Sequence, residues 1–265
     1  MEHLNYCRQI ARHLEAAMAI PNIARQEAHN MLQVSTLITA SRKFLLPPGG
    51  RLLDDFEMRA LVDLELRLPF PFVAIEFASL DRLHDESRNV VFAWDYEDSQ
   101  IAVRRVVFCA SRGAWGIGEP CLISRTDYMR EIVGGVREMV IRPIFEEGRR
   151  KDAGADTIAP SILLSFLNAL ACSNVHTQLS EPKKAGKKIK AALPFDAYHV
   201  LTIDVPGKAG EGAATGGHRS PREHLRRGHI RRLADGRRIW VNATVVAAGR
   251  GAGVVTKDYA VRCAA

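Results

Sequence analysis

No two cysteines in this chain are spaced as Cys-x-x-Cys. The five that occur, Cys7, Cys109, Cys121, Cys172 and Cys263, are odd in number and widely scattered, which excludes a disulfide framework and a zinc knuckle. Also missing is any apolar run near the roughly 20 residues that cross a bilayer. The opening Met-Glu-His-Leu-Asn-Tyr-Cys-Arg carries an acid where a signal peptide would be apolar. There is no Gly-x-x-x-x-Gly-Lys-Ser/Thr phosphate loop, and Gly116-Ile-Gly118 is a lone pair of glycines with no strand-to-helix start before it. These absences predict a protein of a reducing cytoplasm, with no membrane association, no cofactor and no metal.

What is present is an uneven charge. The net charge is +7, with 47% apolar residues, enough for an ordinary core. From Glu181 onward 17 Lys and Arg face 7 Asp and Glu, whereas residues 1–180 hold 20 against 23. The basicity therefore belongs to the last third, which points to one dedicated surface.

The first 45 residues read as helical. Leu4, Cys7, Ile10, Ala11, Leu14, Ala17 and Met18 make an amphipathic stripe interrupted at Pro21, and a second helix is expected from Ile23 to about Phe44. Asp54 to Leu68 suggests a third. The period then changes. Phe70–Phe77, Asn89–Asp95 and Ile101–Phe108 are rich in β-branched and aromatic residues and predict antiparallel strands, with one more over Trp115–Ser124. Asp127 to Phe145 reads as a helix broken at Gly134-Gly135 and Pro143. The polar stretch from Glu146 to Asp156 is the best linker. Pro160–Ala171 reads as an apolar helix and Tyr198–Asp204 as a strand, and the glycine-rich 206–217 stretch as a flexible loop. The fold class expected is α+β: N-terminal helices, a mostly antiparallel sheet, and a C-terminal basic segment with a β-hairpin. Two regions follow, a helical plus antiparallel-sheet region over 1–150 and a basic α/β region over 157–265.

The sharpest signal is His218-Arg-Ser-Pro-Arg-Glu-His-Leu-Arg-Arg-Gly-His229, which runs into a hairpin turned at Ala234-Asp235-Gly236. On its second strand Ile239, Val241, Ala243 and Val245 share one face, and Arg238, Trp240, Asn242 and Thr244 the other. If the second row faces outward, Trp240 stacks a base and Arg238 takes a phosphate; the alternative is that Trp240 is core. Arg226, Arg227, Arg231, Arg232 and Arg237 extend the phosphate surface, with Lys183, Lys184, Lys187 and Lys188 adding a salt-dependent field. His224 and His229 also have the chemistry of a general acid and base for metal-free RNA cleavage. Their spacing with His218 fits no helical ligand pair and no zinc finger. Glu76, Asp95, Glu97 and Asp98 are candidate Mg²⁺ carboxylates, but no following strand carries the lysine two residues after an acid that many nucleases use.

Two segments together resemble a known group. They are Phe166–Val175 continuing through Glu181-Pro-Lys-Lys184 to Leu193–Ile203, and His218–Leu233 with Gly236–Val241 and Val254–Val261. They resemble the C-terminal part of a family of proteins of tailed bacteriophages and prophages, over about the last hundred residues. The first 155 residues share with it only a helix-then-sheet arrangement. The resemblance implies a phage product acting in a bacterial cytoplasm, on nucleic acid or on a host factor.

The reading that follows is a phage-encoded protein that binds RNA or DNA through its basic C-terminal surface. Two alternatives stay open: a histidine-dependent ribonuclease, or a phage protein that binds and inhibits a host bacterial protein. Nucleic acid is the expected partner, and the N-terminal helices suggest a homo-oligomer.

Overall fold

The computed structural model describes residues 4–53, 65–80, 86–131, 137–144, 156–181, 196–205, 224–226, 229–241, 244–246 and 260–263. The N-terminal stripe forms α1 (Tyr6–Met18), which buries Tyr6, Cys7, Ile10 and Leu14. Asn22, at a φ of 63°, helps turn the chain into α2 (Arg25–Ala40). This second helix stops short of the expected Phe44. Ser41 is already extended, and Arg42–Leu45 forms β1. Strand pairing on both sides overrides the helical pattern, because β1 is hydrogen-bonded to two neighbours.

Three long strands follow: β2 (Phe72–Leu80), β3 (Glu86–Tyr96) and β4 (Gln100–Cys109). They pair antiparallel in sequence, as their β-branched and aromatic runs predict. The segment Trp115–Ser124 is two strands, β5 (Ala114–Ile117) and β6 (Cys121–Ser124). Both pair with β4, at opposite ends of it. Gly118 lies between them and donates its N–H to Arg105 O at 2.8 Å, where a Cβ would come within 2.9 Å of that oxygen.

The helix expected over Asp127–Phe145 is absent from the described residues of that stretch. They form β7 (Met129–Glu131), β8 (Arg137–Met139) and β9 (Arg142–Pro143). β7 and β8 pair antiparallel, with Arg130 against Glu138. The two glycines near the centre of the stretch weaken a helix by about 1 kcal/mol each.

Next comes α3 (Ile158–Leu170), apolar around nearly its whole circumference and buried accordingly. It leads into β10 (Val175–Ser180), a strand the sequence reading missed, and then β11 (Tyr198–Val205). Apart from the turn at 233–237, the rest of the described chain is strand: β12 (His224–Arg226), β13 (His229–Arg232), β14 (Arg238–Val241), β15 (Thr244–Val246) and β16 (Ala260–Cys263).

The main sheet runs β10-β11-β1-β2-β3-β4-β6-β9, with β5 also on β4 and β16 also on β11. β1 is parallel to both β2 and β11 and joins the antiparallel meander to the C-terminal strands. The sheet thus draws strands from both sides of residues 145–155. Alternation along its strands builds two cores. Val73, Ile75 and Phe77 pack with Val91, Ala93, Ile101 and Val103 against Ile162, Leu163 and Phe166 of α3. On the other face Ala74, Val90, Phe92 and Val106 pack against α1 and α2. The fold is α+β: helices over both faces of one mixed, mostly antiparallel sheet.

Candidate docking groove and the basic hairpin

The predicted hairpin exists, and its strands carry the reverse of the outward face considered for nucleic acid. β13 and β14 pair from His229–Val241 to Arg232–Arg238. Gly236 takes the positive φ (83°), and its N–H reaches Leu233 O at 3.0 Å. Trp240 is 4% exposed and Arg238 8%. Trp240 packs with Leu52, Ala169, Val175, Leu201 and Ile203, so of the two readings left open for it the core one is observed. The cause is a docking contact that sequence periodicity does not encode. The Asn174 side chain accepts from Trp240 N at 2.6 Å and donates to Trp240 O at 2.9 Å, and Ser173 N donates to Arg238 O at 2.8 Å. These bonds fix β14 against the end of α3 and turn the Arg238–Trp240 row inward.

Arg231, Arg232 and Arg237 are exposed. Arg237 pairs with Asp235 at 2.7 Å, and this hydrogen bond holds the Asp235 carboxyl below its usual range. His229 is half-buried on β13. His224 and Arg226 lie on β12, whose side chains are outside the described residues, as are Arg227, Lys183, Lys184, Lys187, Lys188 and His218. Among the described residues the hairpin thus carries His229, Arg231, Arg232 and Arg237, with Arg238 and Trp240 turned inward.

The four candidate carboxylates do not converge. Asp95, Glu97 and Asp98 are exposed around the β3–β4 turn, with Asp95 on Arg125 at 2.5 Å. Glu76 is fully buried on the opposite face, under α1. Its Oε2 accepts from Tyr6 N and from the Tyr198 hydroxyl, both at 2.8 Å, and its Oε1 accepts from Cys7 N at 2.9 Å. The Tyr198 hydroxyl in turn accepts from Asn5 N at 2.7 Å. A strand carboxylate thus caps a helix N-terminus, satisfying N–H groups that α1 has no side-chain cap for. Burial pushes the Glu76 carboxyl above its ordinary value, against the pull of these donors. Burial, then the Glu76 charge, raises both Cys7 and Tyr198. This is an anchor for the first helix, with its groups closed off from solvent.

The open feature lies on the same helical face, further along α2. His29, Leu32, Gln33, Thr36 and Leu37 form one wall, and Phe72 and Trp94 the other, around a groove of ≈ 370 Å³. Phe72 and Trp94 are cross-strand partners at the sheet end, and Ala102 follows them in register. So small a residue leaves the Trp94 row without a bulky neighbour on β4. Leu32 is 58% exposed and Phe72 36%. Behind the groove Arg104, 1% exposed, donates to Asn30 Oδ1 at 3.0 Å and to Gln33 Oε1, which pins α2 to the sheet. An apolar cleft of this size, walled by two aromatics and rimmed by a few polar groups, suits an anchoring side chain.

Residues 52–248 match the family model described as the AcrVA2-like, anti-CRISPR type V subtype A2 family. The chain belongs to that family. The match takes in β2 through β15, so the similarity is not confined to the last hundred residues and the group is not the one the C-terminal resemblance suggested. Phe72 and Trp94 fall inside the matched segment, whereas α1, α2 and β1 precede it. No curated protein and no solved structure matches the chain. Among the described residues no helix is long and apolar enough to cross a membrane.

Sequence reasoning missed the groove altogether. The sequence pattern groups Leu32 with Met31 and Ile38 on one side of α2, whereas Leu32 is 58% exposed, and nothing in the pattern pairs it with Phe72 at the start of β2.

Proposed function

We propose that this chain is a phage-encoded inhibitor of a type V CRISPR defence, and that it acts by docking on a protein of that system in the host cytoplasm. The observation that carries the reading is the family match, which covers more than half of the chain and the whole run of β2–β4. The groove beside Trp94 supports docking as the mode, because it offers an apolar cleft with no cluster of catalytic groups in its walls. Nucleic acid drops from first partner to accessory. With Trp240 and Arg238 turned inward, the stacking platform is gone, and the hairpin offers Arg231, Arg232 and Arg237 as a basic surface that aids approach to a charged complex.

The test is phage plating on a bacterium with an active type V system, with and without this protein, beside an isogenic strain lacking the system. Plating should return toward the level of the strain without defence. Unchanged restriction at confirmed expression refutes the proposal. Alanine at Arg231, Arg232 and Arg237 together should weaken protection only modestly. Complete loss would instead make the hairpin the principal contact.

A further inference from the structure

We infer that the groove between α2 and the Phe72–Trp94 row receives an apolar anchor residue from a basic segment of the protein partner. This deepens the docking reading above and rests on it. The apolar part follows from the walls: Leu32, Phe72 and Trp94 present hydrophobic surface over the buried Leu37, and Leu32 and Phe72 are substantially exposed. Exposed apolar surface gathered in a concave site, rather than scattered, is what a partner's central anchor fills.

The basic part follows from what stands beside it. β3 runs from Trp94 directly into Asp95, Tyr96, Glu97 and Asp98, all exposed, before β4 begins at Gln100. Asp95 is engaged by Arg125, and Glu97 and Asp98 lie at the solvent side of the turn. Glu97, at a φ of 51°, sits in the turn that follows β3, three residues after the groove residue Trp94. The exposed part of α2 that lines the groove adds His29, Gln33 and Thr36, with no lysine or arginine among the lining residues. A chain of net charge +7 thus carries an apolar cleft with two exposed acids, Glu97 and Asp98, on the turn beside it. Its complement is a segment with an aromatic or large aliphatic residue between lysines or arginines. Surfaces of that composition are what a nucleic-acid-handling protein presents.

The test uses the full chain and three labelled peptides, read by fluorescence polarisation. They are Lys-Lys-Trp-Leu-Lys-Lys, its counterpart with glutamate for lysine, and its counterpart with alanine for the Trp-Leu pair. The first should bind, at least about tenfold more tightly than either of the others. L32Q/F72Q, which alters two exposed side chains, should lower that affinity by at least about tenfold with an unchanged melting curve. E97K/D98K should weaken the basic peptide and strengthen the acidic one. Equal affinities for the three peptides, or binding indifferent to both variants, overturn the inference. Sedimentation showing that the protein self-associates and that L32Q/F72Q abolishes it also overturns it, in favour of a second copy as the occupant.

Phage plating with L32Q/F72Q separates the two proposals. Protection by the normal chain that persists in the variant sinks the groove and leaves the defence inhibitor standing. Peptide binding as expected without protection by the normal chain does the reverse.

Discussion

Glu76→Gln is the substitution that tests the fold's internal logic most directly. The carboxylate receives Tyr6 N and Tyr198 OH on one oxygen and Cys7 N on the other. A glutamine amide has one oxygen. Its best placement keeps the Tyr6 and Tyr198 bonds and turns an NH₂ toward Cys7 N–H, which is buried with nothing to receive it. An orphaned buried donor costs about 1–3 kcal/mol. Losing the negative charge from the N-terminus of α1 and relieving its burial roughly offset each other. For a chain of this size that is a fall of several degrees in melting temperature. The pH dependence is a second readout. The folded Glu76 pKa is raised, so the native state holds its proton more tightly than the unfolded chain does. Its stabilising contribution is fully present below the ordinary carboxylate value of 4.5 and is lost as pH rises through the folded value. Urea denaturation followed by tryptophan fluorescence from pH 4 upward should show this loss in the normal chain and its absence in E76Q. Tyr198→Phe should cost a comparable amount, since Asn5 N then loses its acceptor, and the double variant should cost less than the two together. A change below about 0.5 kcal/mol in E76Q would refute the capping account.

Trp240→Ala should destabilise by about 3–5 kcal/mol in the same assay, because Trp240 fills core against α3 and β11. Alanine at exposed Arg231 or Arg232 should change stability by no more than about 0.5 kcal/mol. Gly50→Ala should be far worse than Gly113→Ala in a thermal melt. Both have positive φ, but a Cβ on Gly50 lands 2.7 Å from the buried Phe77 ring while Gly113 opens to space. The second should cost only about 1–2 kcal/mol. Arg104→Lys should lose about 1–3 kcal/mol, since an ammonium cannot hold the Asn30 and Gln33 amides as the planar guanidinium does.

The strands β2, β3 and β4 were legible because each is a run of β-branched and aromatic residues bounded by polar turns, a local signal. The helix ends and the small strands were not. β1 exists because β2 and β11 flank it, and a four-residue strand following a helix leaves no periodicity of its own. In β10 only Val175 is buried, and four exposed residues and the half-buried Ser180 follow, so it shows neither alternation nor an apolar run. The phase of β14 was undetermined for a different reason. One row is wholly apolar, Ile239 and Val241, yet Asn174, distant in sequence, turns the Arg238–Trp240 row inward instead. The same limit hid the cap on α1. A carboxylate in an apolar strand signals something buried and paired, but not that its partners are the first N–H groups of the N-terminal helix.

Composition also misdirected the functional reading, and the electrostatics explain how. A net charge concentrated in one third of a chain describes the far field that a partner meets first, and it governs encounter more than recognition. Recognition depends on what lies within contact distance, where screening leaves a few groups in control. At that range the groove offers Leu32, Phe72 and Trp94, with Glu97 and Asp98 exposed on the turn after β3, although the chain as a whole is basic. Arginines outside the basic third serve the fold: Arg104 ties α2 to β4, Arg105 meets Asp156 at 2.7 Å ahead of α3, and Arg125 secures the β3–β4 turn. A partner that approached the basic third by charge alone would leave the cleft beside Trp94 empty, so salt-sensitive encounter and groove-dependent affinity should be separable in one titration.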